Sequence, residues 1–140
     1  MNRIPLYFNV LEFIVTDLVE FSPIITQNIY EYIHFLNTIR HKSGSPLYIS
    51  KRSGYRPLWW EKQKERSGNS QHTTFTIPGR GAVDLKYQWD QFKMVYDADF
   101  FTRICYYPQE GFYHCDRKPT DGKLLYFESK YGKWEFICER

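Results

Sequence analysis

The chain has 140 residues, 42% of them hydrophobic and 25% charged, with a formal net charge of +3. That length holds one domain with a real core and leaves no room for two comfortable ones, and the hydrophobic share excludes a disordered chain. The charge is too small and too scattered for nucleic-acid binding, and no stretch approaches the roughly 20 apolar residues that span a bilayer.

In chain order, residues 1 to about 21 mix Phe, Leu, Ile and Val without a clear period and are read as a short strand or helix over the core. The apolar patch Val10 to Val15 is broken by Glu12 and lacks a small-residue cleavage site, so no secretory signal is expected. Ser22-Pro23 has the form of a helix start, with Ser as the cap and Pro at the first helical position. From there Ile25, Ile29, Tyr32, Ile33, Leu36 and Ile39 recur at helical spacing up to Arg40, and this amphipathic helix is expected to back a sheet. Arg40, His41 and Lys42 suit its C-terminal dipole, and Gly44 ends it.

Pro46 to Ser50 reads as a short β-type run, Pro57 to Arg66 as a short helix, and Ser67 to Ser70 as a loop. After Ser70-Gln71-His72 and the turn-rich Pro78-Gly79-Arg80-Gly81, a strand is predicted over Ala82 to Tyr87 and a helix over about Trp89 to Tyr96. Further strands follow at about Phe100 to Tyr107 and Phe112 to Asp116. Lys123 to Phe127 and Lys133 to Cys138 form a β-hairpin across Ser129 to Gly132. The class implied is α+β: a small, mostly antiparallel sheet flanked by helices in a single domain, 1–140. Aromatic residues make up 19%, with 12 Tyr and 11 Phe, so rings should dominate the packing; they also suit a cleft for sugars or peptides. The three cysteines, Cys105, Cys115 and Cys138, lack CxxC spacing and argue for a reducing compartment rather than a disulfide scaffold.

Chemistry concentrates between Ser70 and Asp116. His72, Asp84 and His114 lie on separate segments, and two imidazoles plus a carboxylate make a divalent-metal site with one position open, as in catalytic zinc. The same donors accept other divalent ions. Asp84 sits in an apolar run, where a buried carboxylate needs a metal or a salt-bridge partner. His34 and His41, on or near the predicted helix, are read as surface residues. Cys115 points away from its neighbours His114 and Asp116 on a strand and is read as a buried structural thiol. Arg56 has Glu61 as an obvious acidic partner nearby.

These residues also resemble a known family. Leu36-Asn37-Thr38-Ile39-Arg40, Gly44 to Ile49 and Ser53-Gly54-Tyr55-Arg56 are similar to the opening of the D-alanyl-D-alanine carboxypeptidase family of zinc peptidases, the M15 group. Ser70-Gln71-His72 resembles its S-x-H element, Ala82-Val83-Asp84 after Gly81 its G-x-A-x-D element, and His114 its final histidine. The likeness spans about residues 32–117. It implies a hedgehog/D-Ala-D-Ala-peptidase-like fold, Zn²⁺ on His72, Asp84 and His114, Arg56 steadying the scissile carbonyl oxygen, and Ser70 beside metal and substrate.

The resemblance further implies hydrolysis of peptide bonds in the stem peptide of bacterial peptidoglycan, of carboxypeptidase or endopeptidase type. His72 and Asp84 stand twelve positions apart, wider than in the family, so residues around Thr76 to Arg80 should loop out. Where the family carries an acid shortly before its last histidine, this chain has Gly111; Glu110 is the nearest carboxylate and the first candidate for general base, with Asp116 the other candidate or an orienter of a ligand. A bare catalytic domain with no signal peptide resembles an endolysin-like bacteriophage or prophage product, made in the host cytoplasm or carried in a virion and acting on the wall as a monomer. Two rival readings stand beside it. One is a non-hydrolysing zinc-binding or peptidoglycan-binding module, as hedgehog signalling domains are similar in fold and metal site; the other is a virion-associated interaction protein with a structural metal.

Overall fold

The computed structural model describes residues 6–15, 20–66 and 68–140; the sequence readings at 1–5, 16–19 and 67 lie outside them. Its longest element is α1, Pro23–Ser43, which begins where the Ser22 side chain accepts a hydrogen bond from the Ile25 N–H and ends at Gly44 in the left-handed region. All six apolar positions that predict this helix are buried. Each such Ile or Leu contributes about 1.5–3 kcal/mol through its lost contact with water.

Five strands follow: β1 Ala82–Lys86, β2 Arg103–Tyr107, β3 Phe112–Asp116, β4 Leu125–Lys130 and β5 Lys133–Glu139, in the sheet order β1-β3-β2-β4-β5. The architecture is α+β, but the sheet is mixed. β2 and β4 run parallel, because the chain crosses back after β3 before the last hairpin begins. The expectation of a mostly antiparallel sheet is corrected at that one pairing; the other three pairings are antiparallel. The last hairpin closes on Tyr131 and Gly132, with φ of 54° and 75°, the two positive values that a two-residue hairpin turn of matching twist requires.

Several predicted boundaries shrink. The Pro57–Arg66 helix is α2, Leu58–Gln63, and the strand expected from Phe100 begins at Arg103. Pro46 to Ser50 makes only one bridge, Ile49 to Leu85, although Ser50 N–H and Tyr48 C=O each bond to β1 backbone. The N-terminal segment contains a 3-10 helix, Val10–Phe13, that buries Phe13 in the core. α3, Trp89–Asp97, packs beside α1.

Strand alternation gives the sheet two different faces. Val83, Leu85, Ile104, Tyr113 and Cys115 enter the core with Ile29, Tyr32, Leu36 and Val95 of the helices. The cross-strand row Asp84, His114 and Cys105, with Arg103 opposite Asp116, lies on the other face. One side of this sheet holds the fold together and the other carries the titratable groups.

Candidate metal centre

Three segments bring the group together. β1 carries Asp84, β3 carries His114 directly opposite it, and a 3-10 helix, Gln71–Thr76, carries His72. The His72 and His114 rings stand 5.1 Å apart. One nitrogen of each histidine and one Asp84 oxygen all lie within 4.8 Å of one another. Asp84 Oδ1 is 2.9 Å from His114 Nδ1 and 3.4 Å from His72 Nε2, so both imidazoles aim at a single carboxylate.

The remaining ring nitrogens are also fixed. His72 Nδ1 lies 3.0 Å from the Gly54 carbonyl, which can only accept, so Nδ1 carries the proton and Nε2 presents a lone pair to the group. His114 Nε2 lies 2.8 Å from Asp116 Oδ2. Asp116 is wholly buried and takes Arg103 in a two-pronged ion pair, Nε to Oδ1 at 2.9 Å and Nη2 to Oδ2 at 2.6 Å. A carboxylate holding the far nitrogen of a ligand histidine is the usual way its orientation and basicity are set. The donor set therefore fits a divalent metal ion: two imidazole nitrogens and one carboxylate oxygen, with no fourth protein ligand within the same reach among the described residues.

Electrostatics follow from this packing. Burial alone would push Asp84 up, but the hydrogen bond from His114 and the charge on that ring hold it well below the usual carboxylate range. Burial opposes charge on His114 too, yet Asp116 and Asp84 together raise it to about 9. His72, with burial dominant, is lowered and stays neutral. Burial likewise disfavours charge on Asp116, which His114 and Arg103 nonetheless hold at about 2.

The Ser53 to Arg56 run has a separate task for each residue. The Ser53 hydroxyl ties Asp84 to the preceding turn, accepting from the Asp84 N–H at 3.3 Å while donating to the Ser50 carbonyl at 2.6 Å. Gly54 supplies the carbonyl that orients His72, Tyr55 packs on Phe75 in the core, and the Arg56 guanidinium faces Asp84 at 3.9 Å. Gly54 must be glycine because a Cβ there would stand 2.5 Å from the Phe13 carbonyl oxygen, a backbone atom unable to rotate away. We expect Gly54→Ala to cost about 2 kcal/mol or more through that overlap and to turn His72 off the group. Thermal denaturation and zinc titration of the variant check both halves; unchanged zinc affinity would sink the second.

The wider His72 to Asp84 spacing is absorbed by the 3-10 helix and a turn over residues 77–80. Buried Asn28 pins that excursion, donating to the Phe75 and Ile77 carbonyls and accepting from Gly79 N–H. Over the group opens a cavity of about 390 Å³, whose lining includes Arg56, Ser70, Arg103, Tyr107, Lys118 and Trp134. Ser70 accordingly lies beside the group, where its hydroxyl also accepts from His72 N–H. A larger groove of about 830 Å³ lies along Phe21, Tyr55, Leu58 and Trp59, and among the described residues it contains no cluster of metal-ligating side chains.

The two candidate bases are placed differently. Glu110 is exposed in the turn between β2 and β3, outside the cavity lining. Asp116 faces the group's side of the sheet, but Arg103, His114 and the Lys118 N–H occupy both its oxygens. It orients a histidine. Sequence reasoning missed Arg103, Tyr107, Lys118 and Trp134. Trp134 donates to the Tyr107 oxygen at 2.7 Å and lies against both His114 and Arg103. The signal for Arg103 and Tyr107 was the β2–β3 hairpin itself, since pairing its strands sets Arg103 opposite Asp116 and Tyr107 opposite Phe112. No family model, curated protein or solved structure matches the chain.

Proposed function

We propose that the protein is a zinc-dependent peptidase that hydrolyses a peptide bond in the stem peptide of bacterial peptidoglycan, of D-alanyl-D-alanine carboxypeptidase or endopeptidase type, on a hedgehog/D-Ala-D-Ala-peptidase-like fold. The observation that carries it is the convergence of His72, Asp84 and His114 beneath an open cavity. These are the positions that the M15-like motifs assign to zinc. Bound zinc would supply a polarised carbonyl and a water acidic near neutral pH.

The chain's own groups supply the rest. Arg56 offers a permanent, fixed cation to the charge that develops on the carbonyl oxygen. Burial raises the Tyr107 phenol, which Trp134 already bonds at its oxygen, so it keeps a proton to give to a group in the cavity. Arg103 and Lys118 on the same wall make the cavity cationic, a setting for the carboxylates of stem peptides. An endolysin-like bacteriophage role, with the wall as substrate and no nucleic-acid partner, accords with this chemistry. Among the described residues, no helix is long and apolar enough to cross a membrane.

A second reading has its own support: with Glu110 outside the cavity and Asp116 fully engaged, the cavity lacks a free carboxylate base. On that reading the protein binds metal and wall without cutting. Incubation of purified peptidoglycan with zinc-loaded protein separates the two. The peptidase reading predicts new free amino groups and stem fragments by mass spectrometry, abolished by chelation and restored by zinc. Co-sedimentation with the wall and no released fragments would establish the binding module instead.

A further inference from the structure

Glu61 is the buried acid that the metal group leaves unexplained. It lies in α2 at 1% exposure, and neither carboxylate oxygen has a hydrogen-bond partner. Two guanidiniums face it instead: Arg56 Nη1 at 3.7 Å from Oε1 and Arg66 Nε at 3.6 Å from Oε2. Taking a carboxylate charge out of water is costly unless nearby cations offset it. A charge held there against that cost acts on those cations.

Arg56 is the one that reaches the site. Its Nε donates to the Arg52 carbonyl at 2.7 Å, Nη1 faces Glu61 from behind, and Nη2 faces Asp84 at 3.9 Å. The guanidinium is thus held between two carboxylates, one a metal-group donor and the other outside the group. The Asp84 separation is longer than a hydrogen bond, whereas an unrestrained Arg–carboxylate pair closes to about 2.7–2.9 Å. Without Glu61, the nearest negative charge for Arg56 is Asp84 itself.

We propose that Glu61 is a positioning residue that holds the Arg56 guanidinium back from Asp84, leaving the Asp84 oxygens to a divalent cation and the Arg56 Nη2 group aimed into the cavity. The inference rests on the reading of His72, Asp84 and His114 as a metal site. Its consequence is that a cation competes with Arg56 for Asp84, and Glu61 decides that competition.

The test is zinc affinity measured with a competing chelator on wild type, Glu61→Gln, Arg56→Met and the double variant. Glu61→Gln keeps shape and removes charge. It should weaken zinc binding roughly tenfold, the lower end of what loss of a supporting partner costs a metal site. Adding Arg56→Met should restore the affinity, because the competing cation is gone. Arg66→Met, which removes the other cation, should leave it within about twofold, as a residue remote from the donor atoms should. A loss in Glu61→Gln that persists in the double variant would mean a merely structural role and overturn the proposal, as would no loss at all.

Side-chain NMR of metal-free protein reads the same point independently of metal. Wild type should show the Arg56 guanidinium with slowed Nη rotation and a small Asp84-dependent shift, as expected at 3.9 Å, and Glu61→Gln should enlarge the part of the shift that Asp84→Asn removes. Wild type that takes up no zinc defeats the metal reading alone. An Arg56 signal unchanged in Glu61→Gln defeats this inference.

Discussion

Replacing His114 with alanine should take the protein from about one bound zinc per chain to none, the loss expected when one of three protein donors is removed from an open site. Elemental mass spectrometry on protein purified without affinity-column metal reads the result directly. His72→Ala and Asp84→Ala should behave alike, since all three donors lie within 4.8 Å of one another and none has a substitute among the described residues. His34→Ala and His41→Ala are the controls, because both residues are exposed on α1 and outside the group. Any stem-peptide hydrolysis should disappear with the metal.

The variant should remain folded. Asp116 keeps Arg103 when the imidazole goes, and Asp84 keeps His72 and Arg56. Metal retained in His114→Ala would place the ion elsewhere. A folded wild type that takes up no zinc when it is supplied would remove the peptidase reading altogether.

The helix and the last hairpin were legible because local chemistry decides them. Ser22-Pro23, the apolar spacing and Gly44 mark α1 without reference to any other part of the chain. Likewise the three metal-group residues were readable from motif order, and Asp84 from the cost of burying a lone carboxylate. Their contacts were not. The bond from His72 to the Gly54 carbonyl joins residues 18 apart, and the Trp134 to Tyr107 bond residues 27 apart.

The parallel pairing of β2 with β4 escaped for the same reason: a crossover leaves no local mark, while a tight turn does. Glu110 shows the opposite error. It stands next to Gly111, where the family carries its acid, but it lies within the hairpin turn, and Gly111 at φ 74° directs the chain back so that Glu110 ends at the solvent-exposed tip. Asp116, read as base or orienter, is an orienter because Arg103 arrives from the neighbouring strand. That partner becomes visible only once the register of the hairpin is known.

The His114 environment makes a further prediction with a definite sign. In the metal-free protein this histidine sits between Asp84 and Asp116 and is raised to about 9, whereas an unfolded chain holds histidine near 6.5. Between those values the native state carries a proton that the unfolded state lacks. Stability must therefore fall as pH rises from about 6.5 through 9, on the order of 3 kcal/mol in all. Below about 6.5 His72 acts the other way: it is lowered and neutral in the fold but protonates once unfolded, so stability also falls as pH drops. Asp116 adds to the loss at the acid end, its contribution present above about 4 and vanishing as pH falls through about 2. The metal-free protein should thus melt highest near pH 6 to 7.

Zinc reverses the alkaline arm. His114 Nδ1 faces Asp84 and His72, and binding a cation there displaces its proton, so affinity should rise with pH up to about 9, by as much as about tenfold per unit. Ligand that binds only the native state adds stability in step with affinity. The increment in melting temperature on adding chelator-buffered zinc should accordingly be larger at pH 8.5 than at pH 6.5. Melts at three pH values, with and without zinc, decide it. A metal-free melting temperature that holds level or climbs from pH 6.5 to 9 would show that His114 is not charged between its two carboxylates. An increment that shrinks with pH would mean that zinc binds without displacing that proton.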